Sequence, residues 1–151
     1  GKLLEFDINP AAMAREIFSS QPLGFLRLLG VALADLETSQ AGRLVWMTVG
    51  YEQFQEFGVD PRNSDHLVSF ARMLDTSEIA IVLRETSPGE IRVGLRANQA
   101  DVGSLARHIG GGGHKLASGA TVSGDLQEVA TRVIQIAEHF LATGELNEWH
   151  S

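Results

Sequence analysis

Ile79-Ala80-Ile81-Val82-Leu83-Arg84-Glu85-Thr86-Ser87-Pro88-Gly89-Glu90-Ile91-Arg92-Val93-Gly94-Leu95-Arg96 is the stretch on which the fold of this chain turns. Two runs of strand length, Ile79 to Arg84 and Glu90 to Arg96, flank the turn-forming tetrapeptide Thr86-Ser87-Pro88-Gly89, and this pattern predicts a β-hairpin. In the second run Ile91, Val93 and Leu95 alternate with Arg92, Gly94 and Arg96. Successive strand side chains point to opposite faces. One face is therefore core, and the other carries two arginines.

Working outward, Leu44 to Val49 is a continuous apolar run that predicts a buried strand. Between it and the hairpin, Tyr51 to Phe57 predicts a short helix closed by Gly58, Val59 to Ser64 a loop, and Asp65 to Leu74 a second helix. Upstream, Leu26, Leu29, Leu33 and Leu36 recur at helical spacing within Leu23 to Leu36, which predicts a helix turning those leucines to the core. Ser39 to Gly42 reads as a turn. Asn9-Pro10 opens a further helix over Ala11 to Phe18, interrupted by Ser19 to Pro22. Downstream, Asp101 caps a helix running to Ile109, and Gly110-Gly111-Gly112-Gly113-His114 stops regular structure. Ala120 to Val122 predicts a short strand, and Asp125 to Leu141 the longest helix, ended by Gly144. The expected fold is a single α/β (α+β) domain, with a mixed sheet of about four or five strands flanked by helices.

Composition bounds the function. With 151 residues, 44% hydrophobic and 21% charged, the chain has the make-up of a soluble globular domain. A net charge of −7 argues against coating nucleic acid by bulk attraction. The absence of cysteine removes disulfides, zinc–thiolate sites and thiol nucleophiles. No apolar run reaches the roughly 18 residues of a spanning helix, and no signal-peptide pattern opens the chain, so no membrane partner and a cytoplasmic location are expected. The first residue, Gly1, suits an excised piece.

Four adjacent glycines need a geometric reason, because each loses more backbone entropy on folding than any other residue. Exposed successive amides form an anion-binding concavity, and His114 and Lys115 follow directly as potential phosphate donors. Neither a Walker loop nor a dinucleotide fingerprint fits, since a helix precedes the glycines and Leu116 follows Lys115. Between Ile91 and Ala120 the cations Arg92, Arg96, Arg107 and Lys115 face the single anion Asp101, a local +3 that leaves −10 for the remainder. The competing view makes Arg92 and Arg96 solvated residues on an edge strand and the glycines a tight turn. No histidine among His66, His108, His114, His139 and His150 pairs at metal-ligand spacing, so no metal site is expected. Asp65-His66 reads as helix capping, His108 as a dipole partner at a helix end, and no serine has a nucleophile-elbow context, so no catalytic residue is expected.

Gly110-Gly111-Gly112-Gly113-His114-Lys115-Leu116-Ala117-Ser118-Gly119-Ala120, preceded by Val93-Gly94-Leu95-Arg96 and followed by a long helix, resembles the Gly-Gly-Gly-His signature of the DHH-associated C-terminal domain of DHH/RecJ-superfamily phosphoesterases. The region Leu23 to Val49, with Trp46-Met47-Thr48-Val49, is most similar to the NrnA-like oligoribonuclease and pAp-phosphatase branch. The resemblance implies an interdomain connector helix over residues 1–22 and a substrate-binding domain over residues 23–151. It implies that Gly110, Gly111, Gly112, Gly113, His114 and Lys115 hold phosphate or base, and that Arg96 and Arg92 pair with phosphate. Where the family often has Ser after the strand Arg, this chain has Ala97. The implied partners are a nucleotide or short oligonucleotide and an N-terminal DHH domain of the same full-length chain, with a homodimer as a further possible assembly. That DHH domain carries divalent metal, normally manganese, on an Asp-His-His motif absent from these residues; no cofactor is expected in this piece. A rival from the same superfamily is the polymer-binding module of a single-strand exonuclease or tRNA synthetase, which 7% aromatic content disfavours. A structural or oligomerisation module is the third reading.

Overall fold

A computed structural model describes residues 20–150. The hairpin forms as the alternation requires, and the sheet grows from it. In chain order the elements are α1 (Leu23–Ala34), β1 (Glu37–Ser39), β2 (Leu44–Val49), α2 (Tyr51–Phe57), a 3-10 turn (Pro61–Asn63), α3 (Leu67–Ala71), β3 (Ile79–Ser87), β4 (Glu90–Ala97), α4 (Val102–His108), β5 (Gly112–Gly113), β6 (Ala117–Ser123) and α5 (Leu126–Thr143). The strands lie in the order β1-β2-β3-β4-β6-β5. Only β2 and β3 run parallel, joined by the crossover through α2 and α3 that a parallel pair needs.

Each face of the sheet buries its own core. On one, Ile81, Leu83, Ile91, Val93 and Leu95 pack beneath α4 and α5. On the other, Val45, Met47, Ala80 and Val82 pack beneath α1, α2 and α3. Asp101 caps α4 by accepting from the Ser104 amide at 3.0 Å, Asp125 caps α5 by accepting from the Glu128 amide at 3.2 Å, and Gly144 ends α5 at φ +77°.

The structure corrects the sequence reading in four places. The sheet has six strands because two short edge strands, β1 and β5, join the expected ones; neither is long enough to show a hydrophobic period. The glycine run does not end regular structure: Gly112 and Gly113 pair with Gly119 and Ser118. The helix expected over Asp65 to Leu74 is confined to Leu67–Ala71. In α1 the buried residues are Phe25, Leu28 and Ala32, while Leu26 is 51% exposed and Leu33 37%. Eleven of its twelve residues are uncharged, so leucine spacing could not choose a face, and the bulky Phe25 turned inward instead. The helix expected over Ala11 to Phe18, and the connector assigned to residues 1–22 up to residue 19, lie outside the described residues.

Phe25→Ala should therefore destabilise the chain by about 3–5 kcal/mol in urea denaturation, whereas Leu26→Ala should change it by no more than about 0.5 kcal/mol. Equal losses would place the wrong face of α1 in the core.

Candidate functional site

β4 is a central strand, not an edge. Arg92, Gly94 and Arg96 lie opposite Arg84, Val82 and Ala80 of β3, and opposite Thr121, Gly119 and Ala117 of β6. The helical layer on this face ends at α3, whose Val68 stands over Gly94: a Cβ there would meet the Val68 Cβ at 3.9 Å. Beyond α3, Thr121 of β6 is exposed and Gly112 of β5 half-buried, while Ala117 and Gly119 are buried. The step leaves a cleft lined by Asp65, Val68, Arg84, Arg92, Gly94 and Arg96.

Arg84 builds the wall of this cleft. Its guanidinium is almost fully buried and donates to the Pro61 carbonyl at 2.9 Å, to Ser64 Oγ at 2.7 Å and to Asp65 Oδ1 at 2.8 Å. A buried cation left without partners would cost several kcal/mol. That demand takes the Asp65 carboxylate away from helix capping, so the capping role read for Asp65-His66 is not found: His66 occupies the cap position without a side-chain cap bond and stacks on Phe25 at 4.8 Å. His108 likewise does more than face a helix dipole, since its Nε2 meets the Asn147 carbonyl.

Arg96 is the unusual group. Its Nη1 donates to the Leu95 carbonyl at 2.9 Å, but its Nε is buried without a hydrogen-bond partner. Burial holds the guanidinium below the ordinary arginine range, and the Arg72 cation pushes the same way against Asp65. A partly buried cation with an unmet donor, beside a second cation, is an arrangement that an anion completes.

The glycines divide by cause. Gly110 adopts φ +96° and Gly113 φ +136°, conformations that L side chains avoid. A Cβ on Gly111 would overlap the Gly119 carbonyl oxygen and Ala120 Cα, and one on Gly113 would sit 2.7 Å from Ser118 Cα. Gly112 has neither constraint, and space around its Cβ position is open. Pairing sets Gly112, Gly119 and Gly94 side by side across β5, β6 and β4, a row of backbone without side chains in which Gly94 lines the cleft and Gly119 is buried. His114 and Lys115 are exposed in the β5–β6 turn, where the His114 amide donates to the Ala117 carbonyl at 2.8 Å and the Ala97 amide to the Leu116 carbonyl at 3.0 Å. The structure thus brings Arg92, Arg96 and Gly112 to one face and sets His114 and Lys115 at the adjoining turn. Sequence reading missed Arg84 and Arg72. An arginine ending the apolar run Ile79 to Leu83 was the available signal for Arg84; Arg72 gave none. Among the described residues, no group of three or more His, Asp or Glu could hold a metal ion.

Gly111→Ala and Gly113→Ala should each cost at least about 2 kcal/mol in denaturant unfolding or prevent folding, while Gly112→Ala should stay within about 0.5 kcal/mol of the parent.

Comparison with known proteins places this geometry. The DHHA1 domain model matches residues 42–143, from the start of β2 through α5. The chain is 29% identical over 119 residues to the probable bifunctional oligoribonuclease and PAP phosphatase NrnA of Streptococcus mutans, covering 79% of this chain and 38% of that protein. It is 29% identical over 148 residues to the bifunctional oligoribonuclease and PAP phosphatase NrnA of Thermus thermophilus, covering 96% and 44%. The chain thus spans less than half the length of the curated relatives it matches. In fold it is similar to the crystal structure of an exopolyphosphatase-related protein from Bacteroides fragilis, with a TM-score of 0.74, 24% identity, and coverage of 88% of this chain and 39% of that one. The chain therefore belongs to the DHHA1 domain family, with an NrnA-like sequence.

Proposed function

We propose that this domain binds a nucleotide or the end of a short oligonucleotide and positions it for metal-dependent phosphoester hydrolysis by a separate DHH domain of the same full-length protein. The observation that carries the reading is the buried, partnerless Nε of Arg96 beside a floor of glycine backbone. A phosphate oxygen there would accept from Arg96 in a charge-assisted bond, worth about 1.5–3 kcal/mol. Gly94 and Gly112 give the ligand close access, because neither has a neighbour that forbids a side chain. Gly110, Gly111 and Gly113 are needed to hold the β5 edge in place, and His114 and Lys115 are exposed in the turn that follows, available as further donors.

In this division of labour the domain contributes binding and orientation through Arg96 and the neighbouring glycine backbone, fixing the phosphate and thereby the presentation of the scissile bond. The similarity to proteins named as oligoribonuclease and PAP phosphatase supports short ribonucleotides and nucleoside bisphosphates as the ligand class.

Arg96→Ala should weaken binding of adenosine 3′,5′-bisphosphate at least about tenfold in isothermal titration calorimetry, and His114→Ala should weaken it to a lesser degree. The same Arg96 substitution should leave unfolding free energy unchanged or raise it by up to about 1 kcal/mol, because it removes an unmet buried donor. Unaltered affinity in both variants would sink the reading. Manganese-dependent cleavage of the bisphosphate by the 151-residue chain would overturn the division of labour.

A further inference from the structure

The match to the DHHA1 domain model stops at residue 143, the end of α5, yet the residues that follow pack back onto the domain. Gly144 closes α5 at φ +77°, and Leu146 and Trp149 then lie against the core beneath α4 and α5. The Arg132 guanidinium stands 4.1 Å from the centre of the Trp149 ring, a cation–π contact. Arg132 precedes the end of α5 by eleven residues, which is about 16 Å back along the helix axis. Five residues of extended chain reach roughly 17 Å, so residues 144–149 match that span as a nearly straight segment antiparallel to α5. Arg132, Gln135 and Ile136 of α5 accordingly line one cavity with Asn147 and Trp149.

Part of the way along this segment the Asn147 carbonyl meets Nε2 of His108, the last residue of α4. A carbonyl oxygen only accepts, so Nε2 carries the hydrogen and donates it. The segment therefore lies on α5 and clasps the end of α4.

The glycine run hangs from that end. The Gly110 amide donates to the Arg107 carbonyl at 3.2 Å and the Gly111 amide to the Ala106 carbonyl at 2.7 Å, which suspends both glycines from the last turn of α4. On the far side Gly112 and Gly113 are paired with Gly119 and Ser118 of β6. Glycines have no side chains to pack, so the placement of this run follows its two supports. One of them, α4, is seven residues long and depends on tertiary contacts for its rigidity. Its first turn is fixed by the Asp101 cap, and its last residue by the bond to Asn147.

We propose that His108 is a positioning residue for the glycine run, and that residues 145–150 form the clasp that holds it through the Asn147 carbonyl. The proposal rests on the reading of Gly112 as a place of close ligand access. Amide hydrogen exchange of residues 110–113, followed by NMR on the ligand-free chain, reads the positioning independently of any ligand. His108→Ala should speed exchange there about tenfold while the amides of β3 and β4 keep their rates. His108→Gln should return exchange to the parent rate, because its side-chain amide can donate to the same carbonyl. A chain ending at Gly144 should match His108→Ala; since it also loses the packing of Leu146 and Trp149, the point variants carry the test should that chain fail to fold. Affinity for adenosine 3′,5′-bisphosphate should fall about fivefold in His108→Ala and stay within about twofold of the parent in His108→Gln. Unchanged exchange at residues 110–113 in His108→Ala, or equal acceleration in the Ala and Gln variants, overturns the clasp. Faster exchange with unaltered affinity overturns its part in binding. Absence of bisphosphate binding by the parent chain overturns the proposed function, and exchange then judges the clasp by itself.

Discussion

Burial of Ile91, Val93 and Leu95 beneath α4 and α5 leaves β4 no choice on its other side. Strand side chains alternate, so once those three enter the core, Arg92, Gly94 and Arg96 must face the opposite way. A slip of one residue would put two guanidinium groups in the main core and three apolar side chains in the cleft, at a cost of several kcal/mol per buried charge. The register of β4 is thus held by hydrophobic burial, and the chemistry on its reverse face inherits that rigidity. Pairing on both sides extends the effect: β3 contributes Arg84 beside Arg92, and β6 contributes Gly119 beside Gly94.

What makes the reverse face a cleft is the early end of the helical layer. α1, α2 and α3 cover β2 and β3, and α3 reaches β4 only as far as Val68 over Gly94, with Arg92 and Arg96 to either side of it along the strand. Arg84 holds the boundary in place through Pro61, Ser64 and Asp65, fully satisfied by its partners. Arg96, two pleats further along the groove than Arg92, is left with an unmet donor and a cationic neighbour. One arginine is tied into the scaffold, and the other keeps a buried donor without a partner. Functional sites commonly show this division.

Much of this could be read without coordinates. The hairpin, the buried strand β2, the caps Asp101 and Asp125 and the stop at Gly144 are local signals, each carried by residues a few positions apart. The glycine run and the arginine pair were legible as a candidate site because they break local rules. Edge strands β1 and β5 were not, since three and two residues cannot display a period. The inward face of α1 was hidden because that helix carries a single charged residue, Arg27, among leucines on several sides. The work of Asp65 was hidden because its partner is 19 residues away.

The division between local and global information has a physical cause. Alternation, caps and left-handed glycines depend on the conformational preferences of one or a few adjacent residues, and these hold before the chain folds. They sufficed for the two-faced strand, the helices and the unusual loop. Which glycines the fold demands and which it leaves open depends on the approach of β5 to β6, where Gly111 and Gly113 lie against Gly119, Ala120 and Ser118 while Gly112 meets open space. Whether Arg96 Nε finds a partner depends on which groups α3 and the neighbouring strands bring to the cleft. Contacts between distant segments are absent from any local window of sequence, so only packing could turn a row of glycines and two arginines into a lined groove.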